Sequence, residues 1–348
     1  MKKIGIWGLF LSTSLVLNSQ DYRYNFANSS SSQLNPALIG AFEGDLKIGI
    51  QYRNLFGTLL QEDAFKGYSI AVDYKMHDQR GNFLGWNIGA HQNNHPRSNF
   101  QKSELMVGFA YHKKIASSNR SNSHYLTAGF QAGIGQHRLN ANQLWFSNQW
   151  DIDAERINLD IQNGENWTAQ TSSLFPDFQA GILWSGVFNK DFSAYLGGSA
   201  FHVAKPNISL FEGSTYQLER RWVIHGGINY YFNKNIGILP NFVWMSQSYG
   251  TSLTLGNYLA FKGNGYDEIG FRVGGFLHQS NYWTGQLRPE SMAVAVMMQR
   301  DPIQFGVNYE FTISELSAVN QGRGAVEFQI ILIFRNSESR IKYPSISF

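Results

Sequence analysis

Seven charged side chains stand out because each falls on the polar side of a segment that alternates with period two. Lys47 and Arg53 interleave with Leu46, Ile48, Ile50 and Tyr52, and Asp73 and Lys75 with Val72, Tyr74 and Met76. Arg272 lies between Phe271 and Val273, Glu310 between Tyr309 and Phe311, and Glu327 between Val326 and Phe328. Charges of both signs on one face either line a water-filled passage or pair into an ion network that plugs it. The usual signs of catalysis do not accompany them. The nine histidines are scattered singly. The pair His91 and His95 has a helical spacing, but Pro96 and the surrounding asparagines put it in a loop, which argues against a zinc site. His225 has no nucleophile and orienting group at a telling spacing, and no phosphate loop, nucleophile elbow or paired carboxylates appear. Cysteine is absent, so there is no disulfide framework, thiolate metal site or lipidated cysteine. No cofactor, metal or conventional enzymatic activity is expected.

The elements that carry these charges are strands. Alternating runs begin at Leu46 and recur through residues 68–76, 84–90, 105–111, 126–134, 178–185, 193–203, 222–232, 236–245, 252–261, 269–277, 291–299, 303–313 and 325–334. The run 236–245 is the weakest, being broken by Pro240. The others approach the length at which a tilted strand crosses a bilayer. Charged residues make up 15% of the chain against about 25% in an average soluble domain, and aromatic residues another 15%. The mean hydropathy of −0.28 excludes a bundle of membrane helices. A net charge of +3 gives no reason to expect nucleic acid. Connections alternate in length: short after even strands, with one exception near 113–123, and long after odd ones at 54–67, 91–102, 136–176, 204–220, 278–290 and 314–324. A soluble sandwich has no reason to sort its loops by parity. The expected fold is all-β: a transmembrane outer-membrane antiparallel β-barrel of about fourteen strands, with short periplasmic turns and long extracellular loops.

The ends and loops divide the rest. Residues 1–19 read as a secretory signal peptide, with a "MKK" head, an apolar "IGIWGLFLSTSLVL" stretch and cleavage after Ser19. Residues 20–45 form a leader whose "LNPALIG", with Asn35 and Pro36, is a candidate plug for the lumen of a barrel spanning 46–334; residues 335–348 are a periplasmic tail. The frequent glycines within strands mark bends or places where the plug's backbone approaches the wall. In the longest connection Trp145, Phe146, Trp150 and Trp167 indicate a folded surface for docking or for packing into the barrel mouth. Pro206 and Asn207 lie in the other candidate docking loop.

Several stretches, taken in order, resemble the PorP/SprF family. "LNPALIG" followed by "IGIQYRNLF" is similar to its Asn-Pro-Ala…Gly and Tyr-Arg signature. "LWFSNQWD" and "PDFQAGILW" resemble its mid-chain loop and following strand, and "SAFHVAKPNISL" with "LERRWVIHGGINYYFNKNIGILPN" its His…Pro-Asn segment and paired strands. "FGVNYEFTISELSAVNQGRGAVEFQIILIF" resembles its closing hairpin. Leu38-Ile39, Phe56 and Glu310 depart from the family's usual Tyr-Ala, Trp and Asp. The resemblance implies a non-enzymatic outer-membrane barrel of the type IX secretion and gliding machinery of Bacteroidetes-type bacteria. It further implies as partners a secreted adhesin-like cargo with a C-terminal sorting domain, other components of the apparatus including periplasmic lipoproteins, and the lipid bilayer. The alternative is a porin-like or lipid-uptake channel gated by its leader.

Detergent-extracted protein is expected to migrate anomalously on gels unless boiled and to show β-rich circular dichroism. Full-mass migration without boiling, together with solubility in the absence of detergent, would count against a barrel.

Overall fold

The computed structural model describes Arg23, Asn25, Phe26 and residues 30–77, 81–96, 99–119, 122–140, 144–152, 154–162, 170–210, 213–263, 269–281 and 285–335. Residues 1–19, expected to be a signal peptide, and nearly all of the expected C-terminal tail lie outside the described residues.

Fourteen strands close into one antiparallel barrel. They are β1 (Leu46–Leu55), β2 (Phe65–His77), β3 (Phe83–His95), β4 (Phe100–Asn119), β5 (Asn122–Asn140), β8 (Gln170–Val187), β9 (Phe192–Phe201), β10 (Arg221–Tyr231), β11 (Ile236–Gln247), β12 (Gly250–Phe261), β13 (Gly270–Ser280), β14 (Arg288–Arg300), β15 (Ile303–Thr312) and β16 (Arg323–Phe334). The two-residue strands β6 (Trp150–Asp151) and β7 (Arg156–Ile157) form a separate hairpin in the longest connection. The last strand pairs with the first from Leu46↔Phe334 to Leu55↔Ala325, leaving no edge unpaired in the barrel. Leu46 and Phe334 thus share one rim, periplasmic in an outer-membrane barrel; it is called the inner rim below.

Alternation sorts the side chains as lipid requires. Ile50, Ile70, Val107, Leu126, Ile182 and Ile330 face outward, whereas Gln51, Ser69, Thr127, Ser185 and Gln329 between them are buried. Trp86, Phe109, Phe130 and Phe178 make a row of neighbouring rings across the outer face of β3, β4, β5 and β8. Phe188, Phe192, Tyr230 and Phe232 make a second near the inner rim. Such rings anchor a barrel at its lipid interfaces. Pro240 sits inside β11, and the β10–β11 ladder lapses opposite it at Ile228 and Asn229, where proline has no N–H to give. Pairing with β12 continues unbroken and holds the strand in place.

The strands run further than the apolar pattern. β4 and β5 pair as far as Asn119↔Asn122, which replaces the expected long inner connection by a tight one. β3 reaches His95, so His91 and His95 are strand residues and not loop residues. β8 begins at Gln170, which shortens the longest connection to 141–169. Outside the bilayer a ladder needs hydrogen bonds but no apolar side chains, so the periodicity stops before the strand does. One outer connection, 248–249, is as short as the inner turns and breaks the parity pattern.

The leader lies in the lumen. Its 3-10 turns Ser31–Gln33 and Pro36–Leu38 are joined at Asn35, whose side chain caps the second turn by accepting the Ala37 N–H at 2.8 Å. Leu34, Ala37, Leu38 and Ala41 pack with Phe83, Tyr125, Leu183 and Tyr195 of the wall into one core. Phe26 packs with Leu239, Tyr258 and Phe276 on the opposite wall. Glycine makes this approach possible. A Cβ on Gly129 would sit 2.3 Å from the Pro36 carbonyl carbon, and one on Gly181 would collide with the Asn35 amide. The chain reaches the inner rim at Asp45, whose N–H donates to the Phe334 carbonyl.

Gly129→Leu is therefore expected to leave the barrel heat-modifiable while displacing the leader, so that chymotrypsin cleaves at Leu38 or Phe42 in folded protein. A leader as resistant as the unsubstituted one would contradict the packing described.

Candidate functional site

Six of the seven charges singled out in the sequence fall into two lumenal groups. Toward the inner rim, Lys47 pairs with Asp73 at 2.6 Å and donates to Ser31 Oγ at 3.1 Å. Asn87 donates to Asp73 at 2.7 Å and accepts from Gln131 at 3.1 Å. Lys75 donates to the Phe42 carbonyl, and its ammonium stands 4.8 Å from the Phe42 and Phe83 ring centres. Each of these lysines thus holds both wall and leader.

Toward the outer mouth, Arg53 spans the seam. Its guanidinium donates to Glu310 at 2.8 Å and to Glu327 at 3.1 Å. Glu327 is directly opposite Arg53 in the β1–β16 register. Glu310 occupies an irregularity in the β15–β16 ladder between Tyr309 and Phe311. Such a bulge re-aims a side chain. The leader supplies the remaining partners. Arg23 donates to Glu310 at 3.2 Å, and the Asn25 and Phe26 backbone N–H groups donate to Glu327 at 3.0 and 2.8 Å. Gln51 also donates to Glu327, and Ser291 to Glu310 at 2.5 Å. Arg272 stands apart. It is half-buried near the inner end of β13, where it lines a small cavity with Tyr231, Met297 and Gln304.

Asn35 and Pro36 occupy the middle of the leader. The Asn35 amide donates to the Ile182 carbonyl at 3.0 Å and to His225 Nε2 at 2.9 Å. His225 therefore accepts from the leader through Nε2. His112 Nε2 donates to the Ile39 carbonyl at 2.7 Å, which leaves its Nδ1 to accept from Thr127 at 2.9 Å. Gln33 contacts His91. Histidines that gave no catalytic pattern in the sequence thus hold the leader's polar groups. Among the described residues no group of three or more metal-ligating side chains converges.

The outer mouth is ringed by folded connections. In 141–169 a 3-10 turn, Ser147–Gln149, precedes the β6–β7 hairpin, and buried Gln149 ties it down by donating to the Ile161 carbonyl at 2.9 Å. Trp145 and Trp150 are exposed and Phe146 is half-buried; Trp167 lies outside the described residues. In 202–220, Ile208 and Leu218 pack on Phe175 of β8, and Lys205 pairs with Glu219 at 2.6 Å. Pro206 is buried. Asn207 is exposed, but its Oδ1 accepts the Ser209 and Tyr216 N–H groups, so it organises the loop from within. His202, at φ 55°, is bonded to buried Asp177 at 2.9 Å, a pair that no spacing in the sequence announces. Below these loops a small cavity of about 80 Å³ opens between the leader (Arg23, Phe26, Gln33) and the wall (His91, His202, Arg221).

A family model described as type IX secretion system membrane protein PorP/SprF matches residues 16–332. The chain belongs to the PorP/SprF family. This places the PorP/SprF barrel in the outer membrane of a Bacteroidetes-type bacterium, as a membrane component of the type IX secretion system. No curated protein matches it. Among solved structures it is similar to a mutant of the TodX monoaromatic hydrocarbon channel, at 12% identity over 85% of this chain and 91% of that one, with a TM-score of 0.44. The CymD monoaromatic hydrocarbon channel gives 9% identity over 88% and 93%, with a TM-score of 0.45. CdiB from Acinetobacter baumannii gives 8% over 83% and 60%, with a TM-score of 0.44. At TM-scores this low the likeness bears on neither substrate nor partner.

Glu327→Ala leaves Arg53 buried with one carboxylate fewer and strips the leader of two acceptors. A loss of about 3–5 kcal/mol is expected in denaturant unfolding from lipid vesicles. A loss below about 1 kcal/mol, the range of an exposed pair, would show the cluster to be solvated.

Proposed function

We propose that this PorP/SprF barrel is a non-enzymatic docking component that assists export or surface anchoring of an adhesin-like cargo through its C-terminal sorting domain. The observation that carries this reading is the contrast between the two parts of the molecule. The lumen is occupied by the chain's own leader, whereas the outer mouth presents folded loops with exposed Trp145 and Trp150. Aromatic side chains on ordered loops are what a protein interface uses as anchors. The packed leader also weighs against the rival porin-like or lipid-uptake channel, which needs a continuous path. On the same reading periplasmic lipoproteins of the apparatus associate with the inner face, and the leader, residues 20–45, acts as the plug.

Deletion of the gene is expected to abolish surface display of a specific adhesin while other secreted proteins still reach the surface. Normal display of every adhesin in the deletion strain would sink the cargo-specific reading.

A further inference from the structure

The described residues of the leader do not hang below the barrel; they are found in it from one mouth to the other. At one end Asp45 bonds the inner rim through Phe334. Near that rim Gly40 lies against Gly85, and farther in Asn35 lies against Gly181. At the other end Arg23 is held by Glu290 and Glu310, which belong to the outer ends of β14 and β15. Side-chain exposure falls steadily inward along this cluster: 34% at Glu290, 17% at Arg23, 7% at Glu310 and none at Glu327. The cluster is thus approachable from outside and closed from within. Its charges are also unequal. Three carboxylates, Glu290, Glu310 and Glu327, share the guanidiniums of Arg23 and Arg53, and Arg53 is fixed on the wall. Withdrawal of Arg23 would leave one guanidinium for three carboxylates, two of them buried, which demands a replacement cation.

We infer that Arg23, Asn25 and Phe26 form a latch at the outer mouth, and that a cationic peptide segment arriving from the cell exterior exchanges with Arg23 on Glu290 and Glu310 and so releases the leader. The incoming segment needs a guanidinium or ammonium at its tip. Exchange conserves the charge of the cluster and is therefore open to such a ligand, but not to a neutral or acidic one. Release begins at the exposed end, because Glu327 also holds the Asn25 and Phe26 backbone N–H groups and lies deepest. The latch operates whether or not the outer loops dock cargo.

The absence of cysteine makes the test clean. Ser30 lies on the leader, is 3% exposed, and makes no side-chain hydrogen bond, so Ser30→Cys is a mild reporter. The full-length Ser30→Cys protein is reconstituted in vesicles and treated with a membrane-impermeant maleimide from the outer-loop side. Labelling is expected to be slow. It should accelerate at least about tenfold, equivalent to ~1.4 kcal/mol, when Arg23→Glu is added, and saturably when tri-arginine peptide is supplied on the outer side. Tri-glutamate, and tri-arginine supplied only on the inner side, should have no effect. If Arg23→Glu fails to fold, the tri-arginine arm decides alone. The latch is overturned by unchanged labelling with outer tri-arginine, by equal acceleration from the inner side, or by equal acceleration from potassium chloride at matched ionic strength.

Discussion

Two buried carboxylates govern the lumen. Glu310 and Glu327 lie on the last hairpin, where an ionised carboxylate is tolerated only if counter-charge and hydrogen bonds replace water. Arg53 provides the charge from the first strand, across the closing seam. A slip of β1 against β16 by one residue would turn Arg53 toward lipid and deprive both carboxylates of its guanidinium. The pair therefore specifies the register that closes the barrel. One guanidinium does not satisfy two carboxylates, however, and the remaining acceptors are met by Arg23, Asn25 and Phe26. Barrel closure and leader placement are consequently parts of one network.

The rest of the lumen follows from the same need to replace water. A fourteen-stranded barrel is wider than its own side chains fill. The leader supplies the missing volume, with Leu34 and Leu38 in an apolar core on one wall and Phe26 in another on the facing wall. Its backbone carbonyls would be costly there if left bare. His112, Lys75 and Ser199 donate to those of Ile39, Phe42 and Leu34. The wall thus offers small residues where the leader's backbone must come close and donors where its carbonyls emerge. A molecule arranged this way uses its lumen to hold its own chain.

Much of the barrel was legible from the sequence, for a definite reason. Lipid demands an apolar side chain at every second residue, so all fourteen barrel strands announce themselves; Lys47, Arg53, Asp73, Lys75, Glu310 and Glu327, set between those apolar positions, are buried. Strand ends were illegible because lipid stops imposing the pattern at the interface, which is why His91 read as a loop residue. Period two reports the face of a residue but not its height. Arg272 therefore looked equivalent to Arg53, although the register of the ladders sets it near the inner rim and Arg53 near the outer mouth. The partners of the leader were illegible for another reason. Asn35 meets His225 across 190 residues, and Arg23 meets Glu310 across 287. No local pattern links them.

Hydrogen exchange of the leader amides in membrane-embedded protein tests the central claim most directly. The Leu34, Ala37, Leu38 and Ala41 N–H groups are bonded within a leader enclosed by the barrel. They are expected to exchange as slowly as amides at mid-strand positions of β5 and β8. Exchange at the rate of an unstructured peptide, with the strands still protected, would contradict a leader built into the lumen.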